Sequence, residues 1–547
     1  MFKRLLNSQT KTVTFAAVIL GFSTFASRLL GLVRDRLLAS QFGASSELDI
    51  YFSAFRIPDF VFGILIMGGI TAVFLPVFTE YFKRDEKAGW DLTNNVLNCF
   101  LLLLILFCGI LAIFTPQLLK FIVPGFRPEQ KDLAIVLSRI MFLSPIFLGL
   151  SSVFSGLLQY FNRFLAYSLA PIFYNLGLIA GIVFFYPVFG LIGLAYGVIL
   201  GAFLHLVLQI PVALATGFKY RLTFNFKYPG LLKMFKLMIP RTLGATVSQI
   251  NLVIITAAAS TLAIGSITIF NFANNFQALP VGIIGASFAV AVFPALSRAW
   301  ASGAKEEFLD NFSSVARQIV FLIVPLSLLM FFLRSQIVKL ILSSGQFGEA
   351  ETRLTAAVLG VFCLGIFAST LIPFLARAFY SFQDTKTPVL IGIFSVVINI
   401  LLCLFFIKLF GYSGAFQGWV VKTLKLQGIS DVSVVSLPLA YIVSTLCQFS
   451  LLLIFLKKKV GDLRLKEIGA SFEKVIIASA LMSVIVFLAL KVCAFFIDPQ
   501  TFLGLLLGTG SALLLGVAVY LFSAYFLKSL ELRTFWQSLL KQFNDQH

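Results

Sequence analysis

A membrane-length apolar segment near the start of the chain contains the stretch Ser27-Arg28-Leu29-Leu30-Gly31-Leu32-Val33-Arg34-Asp35-Arg36. An arginine or aspartate in the middle of a bilayer costs roughly 2.5–3.5 kcal/mol, so it persists only where it faces water, a partner charge or a polar ligand. Helical geometry places Arg28 and Asp35 on one face, with Gly31 between them. We predict that Arg28 lies in a polar cavity and that Arg36 reaches the lipid headgroups.

The composition indicates an all-α polytopic membrane protein. The 547 residues are 59% hydrophobic and only 12% charged, whereas soluble domains carry about 25% charged residues. Windows of about 20 apolar residues predict about 14 transmembrane helices. These spans cover approximately residues 13–40, 50–82, 92–115, 133–160, 166–186, 189–215, 235–262, 267–299, 309–333, 354–380, 387–410, 434–456, 474–496 and 502–527.

The basic residues indicate the orientation of the chain rather than nucleic-acid binding. The net charge is +19. With the N-terminus inside, about 24 of the 42 Lys and Arg residues fall on the cytoplasmic face and about 10 on the opposite face. We therefore predict that both termini are cytoplasmic and that the polar segment 411–433 is an external loop.

The residue types that carry most enzyme chemistry form no recognisable group in the sequence. The six cysteines are scattered singly, and the two histidines are His205, inside a span, and His547 at the end. No zinc-site spacing, phosphate-binding loop or catalytic triad is readable. We predict no enzyme activity, no metal site and no cofactor. His205 is interpreted as a packed or cavity-lining residue, with a proton relay as the alternative.

Comparison of the sequence with itself reveals an internal repeat. The loop at 123–133 matches that at 344–354, and Phe126 and Phe347 are 221 residues apart. In the second spans, Pro58 and Pro76 of the first copy correspond to Pro280 and Pro294 of the second copy. The fourth spans end in similar sequences, at 160–163 and 380–384. The repeat predicts two six-helix lobes related by a pseudo-two-fold axis along the membrane normal, plus two C-terminal helices.

The predicted organisation has four parts. Residues 1–218 form an N-terminal six-helix lobe, 219–457 a C-terminal six-helix lobe, 458–527 two additional transmembrane helices, and 528–547 a cytoplasmic amphipathic tail. The glycines at 177 and 181, and at 193, 197 and 201, are predicted to be helix contact faces. The tail places apolar residues on one helical side, as an interfacial helix does. These are Leu530, Leu532, Phe535, Trp536, Leu539, Leu540 and Phe543.

Cations outnumber anions among the charges predicted to line a central cavity. Guanidinium groups stay charged when buried and bind phosphate through two hydrogen bonds, so the cavity suits a phosphate or diphosphate headgroup. Asp35 either neutralises Arg34 or acts directly, and headgroup contact competes with a functional role for Arg56, Asp59 and Asp49. The candidate cavity charges are Arg28, Arg34, Asp35, Asp49, Arg56 and Arg241.

The chain resembles the MurJ (MviN) family of lipid II flippases, within the multidrug/oligosaccharidyl-lipid/polysaccharide exporter superfamily. The motifs that carry this resemblance run in family order from the first span to the eleventh. They are Ser27–Gly31 with Arg34-Asp35, Phe42-Gly43-Ala44, Asp49, Phe55–Pro58, Ala72–Pro76, Pro124–Phe126, Asn162–Phe164, Val247–Asn251, Phe293–Ser297 and Asp384–Pro388.

The resemblance implies a flippase of the bacterial cytoplasmic membrane that moves the lipid-linked peptidoglycan precursor from the inner to the outer leaflet by alternating access. Its substrate would be an anionic polyprenyl-diphosphate lipid, and Arg28, Arg34, Asp35 and Asp49 would be cavity charges. Membrane lipids are expected partners, cell-wall synthesis proteins are candidate partners of the cytoplasmic loops, and no nucleic acid is expected.

The sequence departs from the family at two places. An arginine is typical shortly after the position of Pro58, where this chain reads Phe60-Val61-Phe62-Gly63-Ile64-Leu65-Ile66-Met67. An Asp-Arg pair is typical of the eighth span, where this chain has Asn274 and Asn275. We predict that these asparagines donate hydrogen bonds to substrate and that Arg241, the repeat equivalent of Arg28, compensates for the missing arginines.

Three other functions remain open at the level of sequence. A flippase for another polyprenyl-diphosphate glycan, of O-antigen or capsule type, is the main alternative because of the two departures. A drug exporter of the same superfamily would carry cavity carboxylates and twelve spans. A membrane scaffold would not need arginines deep within a span. Transport is therefore favoured.

Overall fold

The structure, a computed structural model, describes residues 13–412, 414–496, 498, 500–535 and 537, with the side chains of 13–18, 67–69, 71, 72, 240, 241, 243 and 245 excepted. The secondary structure of these residues is helical, with no strand. The all-α prediction is therefore confirmed.

The helices up to residue 260 are separated by short turns, except for the linker 215–228 between α11 and α12, and they are interrupted by two π-helical segments. They are α1 (Val13–Phe42), α2 (Ser46–Ala54), α3 (Arg56–Val61), the π-helical Phe62–Ile70, α4 (Thr71–Arg84), α5 (Glu86–Ile122), α6 (Pro128–Met141), α7 (Leu143–Tyr160), α8 (Phe164–Ala180), the π-helical Gly181–Phe185, α9 (Tyr186–Phe189), α10 (Leu191–Val207), α11 (Ile210–Leu214) and α12 (Pro229–Ser260).

The remaining helices include a third π-helical segment. They are α13 (Ser266–Pro280), the π-helical Val281–Ala286, α14 (Ser287–Ala301), α15 (Lys305–Ile341), α16 (Glu349–Cys363), α17 (Ile366–Ser381), α18 (Lys386–Gly411), α19 (Ala415–Leu424), the 3-10 turn Ser433–Val435, α20 (Ser436–Val460), α21 (Leu465–Phe496) and α22 (Phe502–Phe526).

Most of the predicted membrane spans fall on helices long and apolar enough to cross a bilayer. Within the described residues there are 10 such helices, or up to 11 when α16 and α17, bent by 46°, count as one span. The predicted spans at 13–40, 50–82 and 235–262 correspond to α1, to α2 through α4, and to α12. The multi-pass character is confirmed. The predicted external loop 411–433 contains a short helix, α19, which the sequence analysis missed.

The internal repeat is visible in the backbone. Asn162 and Gln383, 221 residues apart like the matched loops, both have positive φ angles, of 56° and 60°. Each follows the end of its helix, and the next backbone N–H in each case bonds a carbonyl five residues earlier. Both second spans are π-helical between their prolines, at Phe62–Ile70 and Val281–Ala286. Such bulges are a recognised cause of helix bending, so both second spans are interrupted between their corresponding prolines.

Backbone contacts divide the chain into two compact units. The first contains Met1–Thr268 with Ser344–Phe347, and the second Ile269–Ser343 with Gly348–His547. These units are groups of contacting residues, whereas the predicted lobes follow the sequence repeat. The lobe boundaries stay a prediction.

In the first unit, polar side chains join α1 to α8 near the charged stretch. The Ser23 hydroxyl donates to Ser168 at 3.0 Å. The Asn175 amide donates to both the carbonyl and the hydroxyl of Ser27, at 3.2 and 3.1 Å. These bonds satisfy polar groups inside the membrane, and they hold the turn of α1 that precedes Arg28.

Glycines let α8 and its π-helical extension approach α10 closely. A Cβ on Gly177 would overlap the backbone of Gly201, and a Cβ on Gly181 would overlap that of Gly197. A Cβ on Gly193 would meet the backbone of Phe185. The prediction that these glycines form a helix contact face is therefore confirmed.

In the second unit, the two additional helices are bonded to α15. The Tyr520 hydroxyl on α22 donates to the carbonyl of Phe321 at 2.6 Å. At the start of α21, Arg464 pairs with Glu306 at 2.9 Å and with Asp310. Contacts at two levels therefore position α21 and α22 along α15.

The segment that precedes α18 carries one of the family motifs. The Asp384 carboxylate accepts hydrogen bonds from the backbone and hydroxyl of Thr387, at 3.0 and 2.9 Å, and pairs with Lys459 at 2.7 Å. Partial burial alone would raise the pKa of this carboxyl, but the bonds from Lys459 and Thr387 outweigh burial and hold its pKa below the usual value. Asp384 thus caps α18 and joins it to the end of α20.

The predicted amphipathic tail is described only in part. Residues 530–535 are helical, with Leu530 60% and Phe535 52% exposed. Glu531 is buried and lies 3.7 Å from Arg317. Trp536, Leu539, Leu540, Phe543 and the final His547 lie outside the described residues, so the amphipathic pattern of the whole tail stays a prediction.

We expect Gly177→Ala to lower the thermal unfolding temperature of the detergent-solubilised protein, because the added methyl would force α8 and α10 apart. Overpacking of this kind costs about 1–3 kcal/mol. Gly109→Ala is the matched control, since a Cβ at Gly109 would meet no atom within 4 Å. Equal unfolding temperatures for the two variants would contradict the close helix contact.

Candidate functional site

An ion pair between neighbouring residues of α1 forms the centre of the candidate site. Nε and Nη2 of Arg34 both donate to Oδ1 of Asp35, at 3.0 and 2.7 Å. Asp35 is buried, and the Arg34 side chain is 22% exposed. Asp35 therefore neutralises and orients Arg34, one of the two roles considered for it. The pair lowers the cost of placing two charges in an apolar segment.

Further polar groups from α2, α3 and α8 surround this pair. Tyr51, Asp59 and Tyr174 all interact electrostatically with Arg34. Tyr174 also hydrogen-bonds the Ser144 side chain. The site therefore combines residues from several elements of the first unit around one guanidinium group.

Arg56 contributes a second buried guanidinium. It is 8% exposed, and its Nε donates to the hydroxyl of Thr256 on α12 at 2.7 Å. Asp59, one helical turn further along α3, interacts electrostatically with Arg56 as well as with Arg34. We call Arg34, Asp35, Arg56 and Asp59 the arginine cluster. Its burial argues against headgroup contact for Arg56.

Asp49 has a different environment from the arginine cluster. Its carboxylate is 4% exposed and accepts three hydrogen bonds, from the backbone of Gly265 at 2.7 Å and from the backbone and hydroxyl of Thr268 at 2.8 and 2.7 Å. These donors lie just before and in the first turn of α13. A carboxylate stabilises a helix N-terminus both by hydrogen bonds and by charge. Asp49 therefore caps α13, a role that the sequence analysis did not foresee.

Arg28 differs from the cluster in its exposure. Its side chain is exposed, and no ion pair to Arg28 occurs within the described part of the chain. It shares the helix with Arg34 and directly follows Ser27, whose carbonyl and hydroxyl accept hydrogen bonds from Asn175. Arg28 is thus a guanidinium available to an anion.

The other predicted site residues lie on α12 and α13. Asn274 and Asn275 are half-buried on α13 in the second unit, where Asn274 accepts a bond from Gln277 at 3.0 Å. Arg241 lies on α12, but its side chain is outside the described residues. Substrate contact by these three residues, and compensation by Arg241, stay predictions.

The first departure from the family pattern has a structural counterpart. A Cβ on Gly63 would overlap the side-chain amide of Gln249 on α12. Gln249 therefore occupies the space into which a side chain at position 63 would project. This chain therefore has a side-chain amide close to the place where the family typically has an arginine.

Sequence reasoning missed several members of this site. Tyr51, Tyr174, Thr256 and Gln249 are uncharged, so the search for expensive intramembrane charges could not find them. Asp59 was considered from the sequence, with headgroup contact as the alternative, and its spacing of three residues from Arg56 places the two on one helix face.

A family model and curated relatives match most of the chain. The family model described as "Lipid II flippase MurJ" matches residues 38–507. A "Probable lipid II flippase MurJ" from Buchnera aphidicola subsp. Acyrthosiphon pisum is 31% identical over 426 residues, covering 76% of this chain and 83% of the relative. One of the same description from Vibrio cholerae is 32% identical over 417 residues, covering 74% and 79%.

Solved structures with the same fold include transporters. A lipid II flippase MurJ in an inward closed conformation has a TM-score of 0.73 at 25% identity, covering 94% of this chain and 99% of the other. An inward-facing multidrug resistance MATE transporter of the MOP superfamily has a TM-score of 0.65 at 14% identity, covering 82% and 99%. The second likeness concerns the fold alone.

We expect Asp49→Asn to destabilise the protein. Two backbone N–H groups face the two carboxylate oxygens, and an amide can accept from only one of them. Leaving a buried donor unsatisfied costs about 1–3 kcal/mol, so the thermal unfolding temperature should fall. Glu47→Gln on the same helix is the control, since Glu47 is exposed. An equal effect of both variants would contradict the capping role.

Proposed function

We propose that this chain, which belongs to the lipid II flippase MurJ family, moves lipid II from the inner to the outer leaflet of the cytoplasmic membrane for cell-wall synthesis. The observation that carries the proposal is the family match over residues 38–507. Lipid II is a polyprenyl-diphosphate carrying the disaccharide-peptide precursor of peptidoglycan. Its transfer between leaflets breaks no covalent bond, so the proposal assigns no catalytic residue.

The arginines of the first unit support recognition of the diphosphate. Asp35 is paired with Arg34, and Asp49 is occupied by the N-terminus of α13. Arg28, exposed on the same helix, is the cation left to meet an incoming anion. A guanidinium suits this role because its planar donors match phosphate oxygens. We assign first contact with the diphosphate to Arg28, followed by Arg34.

Contacts between loops and helix ends suggest how the site would open and close. The Gln346 backbone donates to the carbonyl of Ser40 at the end of α1, at 2.9 Å. The Gly125 backbone donates to the hydroxyl of Ser260 at the end of α12, at 3.2 Å. The two contacts are equivalent under the repeat. In the proposed alternating access they form a latch that separates when the site opens to the outside.

The proposed orientation and organisation follow the sequence. Both termini lie in the cytoplasm, so the latch is external. The lobes comprise residues 1–218 and 219–457, with 458–527 as additional spans and 528–547 as a cytoplasmic tail. Outward movement of an anionic lipid down an inside-negative potential is favoured by about 2.3 kcal/mol per charge per 100 mV. Cell-wall synthesis proteins are the proposed partners of the cytoplasmic loops.

A second candidate is a flippase for a different polyprenyl-diphosphate glycan. The side chain of Gln249 packed over Gly63 favours this alternative, because an amide binds a diphosphate less strongly than a guanidinium does. The two candidates share the diphosphate and differ in the sugar part.

We expect this chain to restore growth of a bacterium depleted of its own lipid II flippase. Arg28→Ala should abolish rescue, because no other exposed guanidinium was identified on α1, whereas Arg139→Ala should retain it. Arg139 is exposed on α6, and its side chain donates to the carbonyl of Ala112 at 3.0 Å. Membrane levels of all three proteins are compared by immunoblot.

Two outcomes would change the assignment. Failure of the well-expressed unsubstituted chain would reject lipid II as substrate and favour another lipid-linked glycan. Rescue by both variants would uphold the function but remove Arg28 from the site.

A further inference from the structure

The linker between α11 and α12 is held in an extended form by asparagines of α5. The Asn94 amide donates to the carbonyl of Lys219, and its oxygen accepts from the backbone of Arg221, at 3.1 and 2.8 Å. Asn98 donates to the carbonyls of Arg221 and Thr223, at 2.9 and 3.1 Å. We call residues 219–227 the linker strap. Its bonds to α5 resemble those along one edge of a β-strand.

The strap's bonds alternate along its backbone. The backbone groups that bond Asn94 and Asn98 belong to residues 219, 221 and 223. The backbone N–H of Asn225 donates to Asn95 at 2.8 Å. All of these strap residues are odd-numbered. Even-numbered side chains of an extended segment share one face. Leu222 and Phe224 on that face are 72% and 51% exposed. Tyr220 is 56% exposed and its hydroxyl donates to Oδ1 of Asn98 at 2.7 Å, whereas Phe226, 53% exposed, lies in the turn after Asn225.

The depth of the strap can be estimated from α5. Asn94 and Asn98 lie in the first two turns of the span predicted at 92–115, close to the membrane face at which α5 enters. The headgroup region extends about 5–8 Å beyond the hydrocarbon on each side. The strap is also tethered at both ends, because residues 215–218 connect it to the end of α11 at Leu214 and Tyr228 connects it to the start of α12 at Pro229. It therefore lies at headgroup level.

Basic residues alternate with the apolar ones along the strap, and their long side chains can extend from the opposite face to lipid phosphates. Lys219, Arg221 and Lys227 are exposed, and none forms an ion pair within the described residues. Aromatic and aliphatic side chains beside exposed cations favour an anionic bilayer surface. A purely aqueous setting would leave four large apolar side chains against water.

We propose that the linker strap is a membrane-surface anchor that binds anionic phospholipids of the cytoplasmic leaflet. Its apolar face enters the interface, and Lys219, Arg221 and Lys227 contact lipid phosphates. The asparagines of α5 hold the backbone, so the anchor is formed before lipid binds. The proposal rests on the proposed orientation but not on which glycan is transported.

The test uses the full chain with Leu222→Trp, reconstituted in vesicles of phosphatidylglycerol or phosphatidylcholine with acyl-chain bromines, which quench nearby tryptophans. Emission of the unsubstituted chain is subtracted, since it contains 4 tryptophans. We expect quenching of the added tryptophan to be about twofold stronger in phosphatidylglycerol, with the difference lost at high salt.

A charge variant and its control complete the design. Lys219→Gln, Arg221→Gln and Lys227→Gln combined should remove the preference for phosphatidylglycerol. The matched triple variant at Lys457, Lys458 and Lys466, which are exposed elsewhere in the chain, should keep it.

Two results would overturn the proposal. Absence of quenching in both lipids would place the apolar face in water, as a surface for a cytoplasmic protein would be. Equal quenching in both lipids, unchanged by the strap charges, would leave a membrane contact without anionic recognition. Since the vesicles contain only this chain and lipid, a protein partner cannot produce the expected signal.

Discussion

The cost of placing charge in a bilayer is the constraint on which this structure depends. Arg34 and Asp35 meet it locally, because adjacent residues on α1 neutralise one another at 2.7 Å. The pair can form only where α1 is held in place, and the bonds from Ser23 to Ser168 and from Asn175 to Ser27 hold it against α8. Charge pairing and helix packing thus support each other along α1.

Three aspartates of the first unit illustrate how surroundings assign roles. Asp35 neutralises a guanidinium, Asp49 caps the N-terminus of α13, and Asp59 interacts with both Arg34 and Arg56. All three side chains end in a carboxylate, and the surrounding residues decide whether that carboxylate interacts with an arginine or accepts hydrogen bonds from backbone N–H groups. A list of intramembrane charges therefore overstates the number available to a substrate.

The repeat connects the fold to the proposed transport cycle. Equivalent residues adopt the same unusual backbone at Asn162 and Gln383. The two equivalent loops each contact the end of a helix: Gly125 lies against Ser260 at the end of α12, and Gly345 lies against Ser40 near the end of α1. Glycine is required at these loop positions because a Cβ would overlap the partner backbone. A duplicated contact of this kind suits a latch whose two parts open together.

The sequence by itself determined the helical membrane class, the repeat, the arginines of α1 and the glycine face between α8 and α10. Hydropathy, periodicity and the cost of intramembrane charge are local properties, and so they are readable residue by residue. Only the tertiary structure decided that Asp49 caps α13, that Arg56 bonds Thr256, that Gln249 fills the space at Gly63 and that asparagines hold the linker strap. Each of these joins residues more than 100 positions apart, and long-range contacts depend on how helices pack.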